Sequence, residues 1–104
     1  MTFEQLTLRL DEWRKQRNLA DPKAQTMKVM EEVGELSAAI NKQDRLKLID
    51  SIGDTLVTVI LLAQMEGLDP TKCLESAWKV IVDRKGRTVD GTFIKAEDLT
   101  NADL

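Results

Sequence analysis

Apolar residues recur every three or four positions over most of this chain, the spacing of amphipathic helices, and polar punctuation divides them into four. Thr2 followed by Gln5 reads as a capping box, which predicts a helix over residues 2–17. In "ADPKAQ", Asp21 is the expected N-cap and Pro22 the first helical residue of a second helix, 22–41. Asp44 is the expected N-cap of a third, 44–66, stopped by Gly67. "LDPTK" repeats the Asp-Pro start and predicts a fourth, 70–85, ending near Gly86. The connections are short, so neighbouring helices should run antiparallel in an all-α four-helix bundle. Residues 87–104 read as a C-terminal arm. Within it Asp90-Gly91, between short β-branched and aromatic runs, predicts a small hairpin, with an irregular arm as the alternative.

The helical faces add a second expectation. At about 100° per residue, Val29, Val33, Leu36 and Ile40 form a core stripe on the second helix. On the third, Ile49, Ile52, Leu56, Val59, Ile60 and Ala63 cover one broad face, while Val57 and Leu61 lie on a second stripe. A helix apolar on two sides needs neighbours on two sides. The bundle is therefore expected to be completed by oligomerisation, as a homodimer or homotetramer.

Composition narrows the chemistry. The 104 residues read as one domain, 42% apolar and 32% charged, which is globular and not disordered. Aromatics make up only 4%, so the core must be aliphatic. Fifteen basic against eighteen acidic residues give a net charge of −3, without the basic excess that a nucleic-acid polymer attracts. A lone Cys73 excludes an internal disulfide and fits a reducing, cytoplasmic setting. The charged N-terminal stretch reads as neither signal peptide nor membrane span, and the apolar run "VILLA" is too short to cross a bilayer. There is no histidine, which excludes Ser-His and Cys-His nucleophiles, imidazole bases and the usual His-containing metal sites. Carboxylates, lysines and arginines must carry any chemistry.

The carboxylates are arranged for it. Glu32 and Glu35 share a stripe with Lys28 and Ala39, and Glu31 is close beside it. On the third helix Asp50 and Asp54 stand at i and i+4, in line with Val57 and Leu61. Side chains three or four residues apart lie roughly 5–6 Å apart at Cβ, so such pairs can reach one cation. Each pair alone would ordinarily be a solvated face, and Lys28–Glu32 an ordinary surface ion pair. Two pairs beside apolar stripes are costly unless something positive compensates. Oxygen ligands without His or Cys favour Mg²⁺, or Mn²⁺, over Zn²⁺. Gly34 and Gly53 accompany the two pairs, each costing about 1 kcal/mol in a helix interior unless a neighbouring helix or ligand comes close.

"EEVGEL" at 31–36, followed by "DSIGDTLVTVILLA" at 50–63, resembles the MazG-like all-α nucleoside triphosphate pyrophosphohydrolases, over about residues 13–86. That superfamily carries ExxE on one helix and ExxD on the next. Glu32 and Glu35 match the first motif. In the second, Ser51 stands where Glu is usual, and Asp50, shorter and about 100° round the helix, is the substitute. The resemblance implies that an NTP or dNTP and water give NMP and pyrophosphate, with Mg²⁺ (or Mn²⁺) on the phosphates. It makes Glu32, Glu35, Asp50 and Asp54 the metal ligands and Glu31 or Glu35 the residue that orients or deprotonates the attacking water. Lys28, Lys79, Arg84 and Lys85 become phosphate contacts, with Arg87 in the same basic cluster; the other reading of that cluster is favourable charge at a helix C-terminus. Trp13, before Trp78, becomes the base-stacking residue; the other reading of either Trp is core or interface packing. The rival readings are a family member that binds nucleotide without hydrolysing it, and a helical protein-interaction module.

Overall fold

The computed structural model describes residues 1–100. Four helices, α1 (Phe3–Gln16), α2 (Pro22–Asn41), α3 (Arg45–Met65) and α4 (Pro70–Ile81), precede two strands, β1 (Gly86–Val89) and β2 (Thr92–Lys95), and a 3₁₀ turn, Ala96–Asp98. The chain is thus mostly helical, with a small antiparallel hairpin near its end. Contacts divide it into two compact units, Met1–Cys73 and the residues from Leu74 on. The last four residues of the predicted arm lie outside the described residues. No helix among the described residues is long and apolar enough to cross a membrane.

Each helix starts on the side chain expected of it. Thr2 Oγ1 accepts from Gln5 N at 3.1 Å while Gln5 Oε1 accepts from Thr2 N at 2.8 Å, closing the capping box. Asp21 accepts from Lys23 N and Ala24 N, Asp44 from Lys47 N, and Asp69 from Thr71 N and Lys72 N. Each such cap contributes about 1 kcal/mol by satisfying amides that the helix itself leaves bare.

The ends of α1, α2 and α3 share one device. Asn18, Gln43 and Gly67 take φ of 55°, 55° and 71°, and the next residue's amide reaches back to close the last turn: Leu19 to Arg14 O, Asp44 to Ala39 O, Leu68 to Ala63 O. These are Schellman closures. Asp44 ends α2 with its backbone and starts α3 with its side chain, so the two helices reverse direction with almost no loop.

The fourth helix is shorter than the 70–85 expected. It ends at Ile81, and the turn is closed by Val82 N donating to Trp78 O and Arg84 N to Ile81 O. Gly86 is not its terminator but the first residue of β1, paired with Lys95. A Cβ there would run into the Ile94 carbonyl and come within 2.8 Å of the Phe93 ring, so close strand approach, not a left-handed cap, requires glycine. At the hairpin tip Asp90 and Gly91 take φ of 50° and 81°, as a type I′ turn demands.

In the first unit α2 packs along α3 and α1 against α3, and Gln64 Nε2 on α3 donates to Thr7 O on α1 at 2.7 Å. The side of α2 turned inward differs from the stripe read by counting apolar residues. It runs Gln25, Val29, Glu32, Leu36, Ala39, all buried or half-buried, while Val33 and Ile40 are about half exposed. On α3 the buried residues include Ser51, Thr58, Ile60 and Leu61. The seam is polar because it is hydrogen-bonded: Gln25 Nε2 donates to Thr58 O at 3.0 Å across it. Only Ala39, Ile60 and Leu61 are buried apolar residues among those described. Ile49, Ile52, Leu56 and Val59, at i, i+3, i+7 and i+10 of α3, remain 47–59% exposed.

Candidate functional site

Glu32 lies on the inward face of α2 because it stands one heptad from Gln25, the residue that ties α2 to α3. It is half-buried, and its Oε2 is cut off from solvent with no hydrogen-bond partner among the described residues. An orphaned buried carboxylate oxygen is costly, which makes this atom the least satisfied in the α2–α3 seam. Its proton affinity records the setting. Burial raises the Glu32 pKa above the ordinary carboxylate range, and the charges of Glu35 and Asp54 raise it further. A hydrogen bond with Glu35, available only while one of the pair is protonated, and the charge of Glu31 act in the same direction. Glu35 and Glu31 come from the same helix and Asp54 from α3, so carboxylates of two helices act on one buried oxygen.

The other predicted ligand stands apart. Asp50 is exposed and is not among the carboxylates acting on Glu32. Ser51 is buried in its stead, its carbonyl accepting from Thr55 Oγ1 at 2.7 Å. The reason is angular: one residue is about 100° of helix, so Ser51 faces inward only if Asp50 faces away. Among the described residues no three carboxylates or thiols are gathered as a ready metal cluster. The exposed carboxylates of Glu35 and Asp54 would have to turn toward Glu32 to form one.

Beside Glu32 opens a cavity of about 790 Å³ in the first unit. Trp13, Lys28 and Glu32, three of the residues singled out by sequence, line it together with Asp21, Gln25 and Leu61. Lys28 does not pair with Glu32; its Nζ lies 3.2 Å from Glu31 Oε2, both groups well exposed. Trp13 is 41% exposed, with the Arg17 guanidinium 4.3 Å from its ring centroid. Gly34 and Gly53 meet no neighbour where a Cβ would stand, so nothing among the described residues requires glycine at either.

The remaining basic candidates lie in the second unit. Lys79 is tied to Glu75 at 3.1 Å. Arg84 and Lys85 line a hollow of about 340 Å³ with Lys95 and Glu97. Trp78 is exposed on α4, in line with Leu74, Ile81 and Val82. Sequence reasoning missed Gln25 and Thr58. The available signal was a glutamine one heptad before Glu32, on the same face.

The sequence model of the MazG nucleotide pyrophosphohydrolase domain matches residues 21–87, which takes in both carboxylate pairs and the end of α4. An uncharacterized 18.2 kDa protein from the rep-hol intergenic region of Haemophilus phage HP1 (strain HP1c1) is 39% identical over 72 residues. That alignment covers 64% of this chain and 43% of the phage protein, so the chain spans less than half the length of this relative. No solved structure matches. With the domain matched over most of the chain, the α2–α3 seam and Glu32 included, this protein belongs to the MazG nucleotide pyrophosphohydrolase family.

Proposed function

We propose that the chain is a Mg²⁺-dependent nucleoside triphosphate pyrophosphohydrolase that splits an NTP or dNTP into NMP and pyrophosphate. The observation that supports this reading is the buried Glu32 Oε2, unpartnered among the described residues and under the charges of Glu35, Asp54 and Glu31, at the edge of a nucleotide-sized cavity. Three carboxylates acting on Glu32, with no cation among the described residues paired to it, are a poor arrangement for stability alone. The donor set is all oxygen, which suits Mg²⁺ or Mn²⁺. Glu32, Glu35 and Asp54 would hold the ion, and it would supply charge neutralisation on the phosphate oxygens. Asp50 would join only by a change in its surroundings, since it faces outward here.

In the reaction, water attacks the α-phosphorus and the bond to the bridging oxygen breaks, releasing pyrophosphate. Phosphoryl transfer asks the protein chiefly for alignment and electrostatics, not for a covalent nucleophile. This chain's residues divide that work. Trp13 offers a flat wall for the base, and Lys28 a positive charge on the same cavity. Glu31 or Glu35 orients the water and accepts its proton. Glu31→Gln and Glu35→Gln separate these roles: loss of the base lowers kcat with metal affinity intact, whereas loss of a ligand lowers both.

The functional unit would contain a second copy of the chain, lying over the exposed face of α3. One observation favours a different reading. Ser51 is buried where the family usually has Glu, and this suits a member that binds nucleotide without cleaving it. The eight common NTPs and dNTPs with Mg²⁺ or Mn²⁺, scored for NMP and pyrophosphate, decide between them. Release of pyrophosphate from any of the eight supports the enzyme. Saturable binding with no release supports the alternative.

A further inference from the structure

Gln25 is 8% exposed, and its side-chain amide is pinned by the bond from Nε2 to the Thr58 carbonyl. A carbonyl oxygen can only accept, so the amide cannot be turned over. Oε1 is thereby fixed as an acceptor, and no hydrogen bond within the described residues uses it. Nor is it sealed off: it is not among the buried oxygens that lack both solvent and a partner. Gln25 lines the 790 Å³ cavity with Trp13, Lys28 and Glu32, and that cavity offers a donor a route to Oε1. Asp21, four residues earlier and on the same wall, spends Oδ1 on its cap and keeps a second carboxylate oxygen. Two residues that each keep an acceptor oxygen outside these bonds thus line the cavity about one helical turn apart.

We propose that Gln25, supported by Asp21, is a specificity-determining residue that selects a nucleobase carrying an exocyclic amino group, as adenine and cytosine do. This rests on the nucleotide reading above and adds the base class to it. An amino group brings two hydrogens to two acceptors. Uracil and thymine bring a carbonyl oxygen to the same edge, where acceptor would face acceptor and both would be desolvated unpaired. Discrimination of this kind is strong because the penalty falls on the wrong ligand.

The test compares nucleotides that differ only in that group: CTP with its 4-deamino counterpart, and ATP with its 6-deamino counterpart, each with Mg²⁺. In wild type, kcat/KM should favour the amino form by about tenfold or more in at least one pair, the size of one well-placed hydrogen bond. In Gln25→Met that ratio should fall to about twofold or less. Gln25→Ala serves the same comparison if the longer side chain disturbs the seam. A general structural loss slows both members of a pair and cancels in the ratio. Equal rates for amino and deamino forms in wild type, or an undiminished ratio in the variants, would overturn the assignment of Gln25 while leaving the hydrolase reading intact. No pyrophosphate from any nucleotide in wild type would overturn the hydrolase reading and this inference with it.

Discussion

Leu56 is the best single probe of whether this protein functions as one chain or more. Half of its surface is exposed in the isolated chain, and it sits in the middle of the row Ile49, Ile52, Leu56, Val59. The exposed half of a leucine is roughly 90 Å², so covering it contributes ~2 kcal/mol at ~25 cal/mol per Å². The four residues together expose roughly 350 Å², or ~9 kcal/mol per chain. A stable interface covers about 800 Å² per partner, so α2 would have to add area, and Met30 and Val33 are exposed there. Leu56→Asp removes the apolar contribution twice in a symmetric dimer, ~4 kcal/mol, which weakens association about a thousandfold before any cost of burying the new charge. The monomer should keep its fold, since Leu56 is not in its interior. Ile60 would be a poorer choice, being buried within the chain and needed there. Sedimentation equilibrium from sub-micromolar to about 100 µM separates the outcomes. Wild type should be a dimer or larger, and Leu56→Asp a helical monomer. A well-folded wild-type monomer at the highest concentration would refute the reasoning.

Other perturbations test other parts of the structure. Because the native pKa of Glu32 is raised, the folded state holds its proton more tightly than the unfolded state, so stability should fall as pH rises from the ordinary glutamate value, 4.5, through the higher native value. Glu32→Gln should flatten that slope in urea melts across the same pH range; an unchanged slope would remove Glu32 as its source. Asp11 behaves oppositely. Burial pushes its pKa up, but hydrogen bonds and charge from Arg14 and Lys15 outweigh this and hold it below the ordinary value. Its contribution is present above the unfolded pKa and lost as pH falls through the native one, and Asp11→Asn should lessen acid sensitivity. Gly34→Ala and Gly53→Ala meet no steric barrier among the described residues and should each raise monomer stability by about 1 kcal/mol. If either instead weakens association or Mg²⁺ response, the open space beside that glycine is filled in the working protein.

The local features of the fold were legible because local chemistry dictates them. A side-chain oxygen before a helix, a proline at its first position and Asp-Gly between strands each satisfy or relieve specific backbone groups. Gly86 was misread because a glycine after a helical run has two uses, and only the pairing with β2 distinguishes them. The face of α2 was misread for a deeper reason. Counting apolar residues assumes that the inward side is apolar, yet here Gln25 is held inside by its bond to the Thr58 carbonyl while Val33 and Ile40 lie outside. The spacing pointed to carboxylates on two neighbouring helices, and the charges of Glu35 and Asp54 do bear on Glu32. Asp50 could not be judged from spacing, because a rotation of one residue decides whether it or Ser51 is buried.

The central claim is that the carboxylates around Glu32 await a divalent cation, and Glu35→Gln tests it most directly. Removing one charge relieves repulsion without metal and removes a ligand with it. Thermal melts of wild type and Glu35→Gln, in EDTA and in millimolar Mg²⁺ at matched ionic strength, read both effects. Without metal the variant should be as stable as wild type or slightly more so, by about 0.5 kcal/mol, the usual size of a like-charge helical pair. Mg²⁺ should raise the wild-type melting temperature in proportion to its occupancy of the native state and leave the variant nearly unmoved. Equal Mg²⁺ shifts in the two proteins would contradict the account.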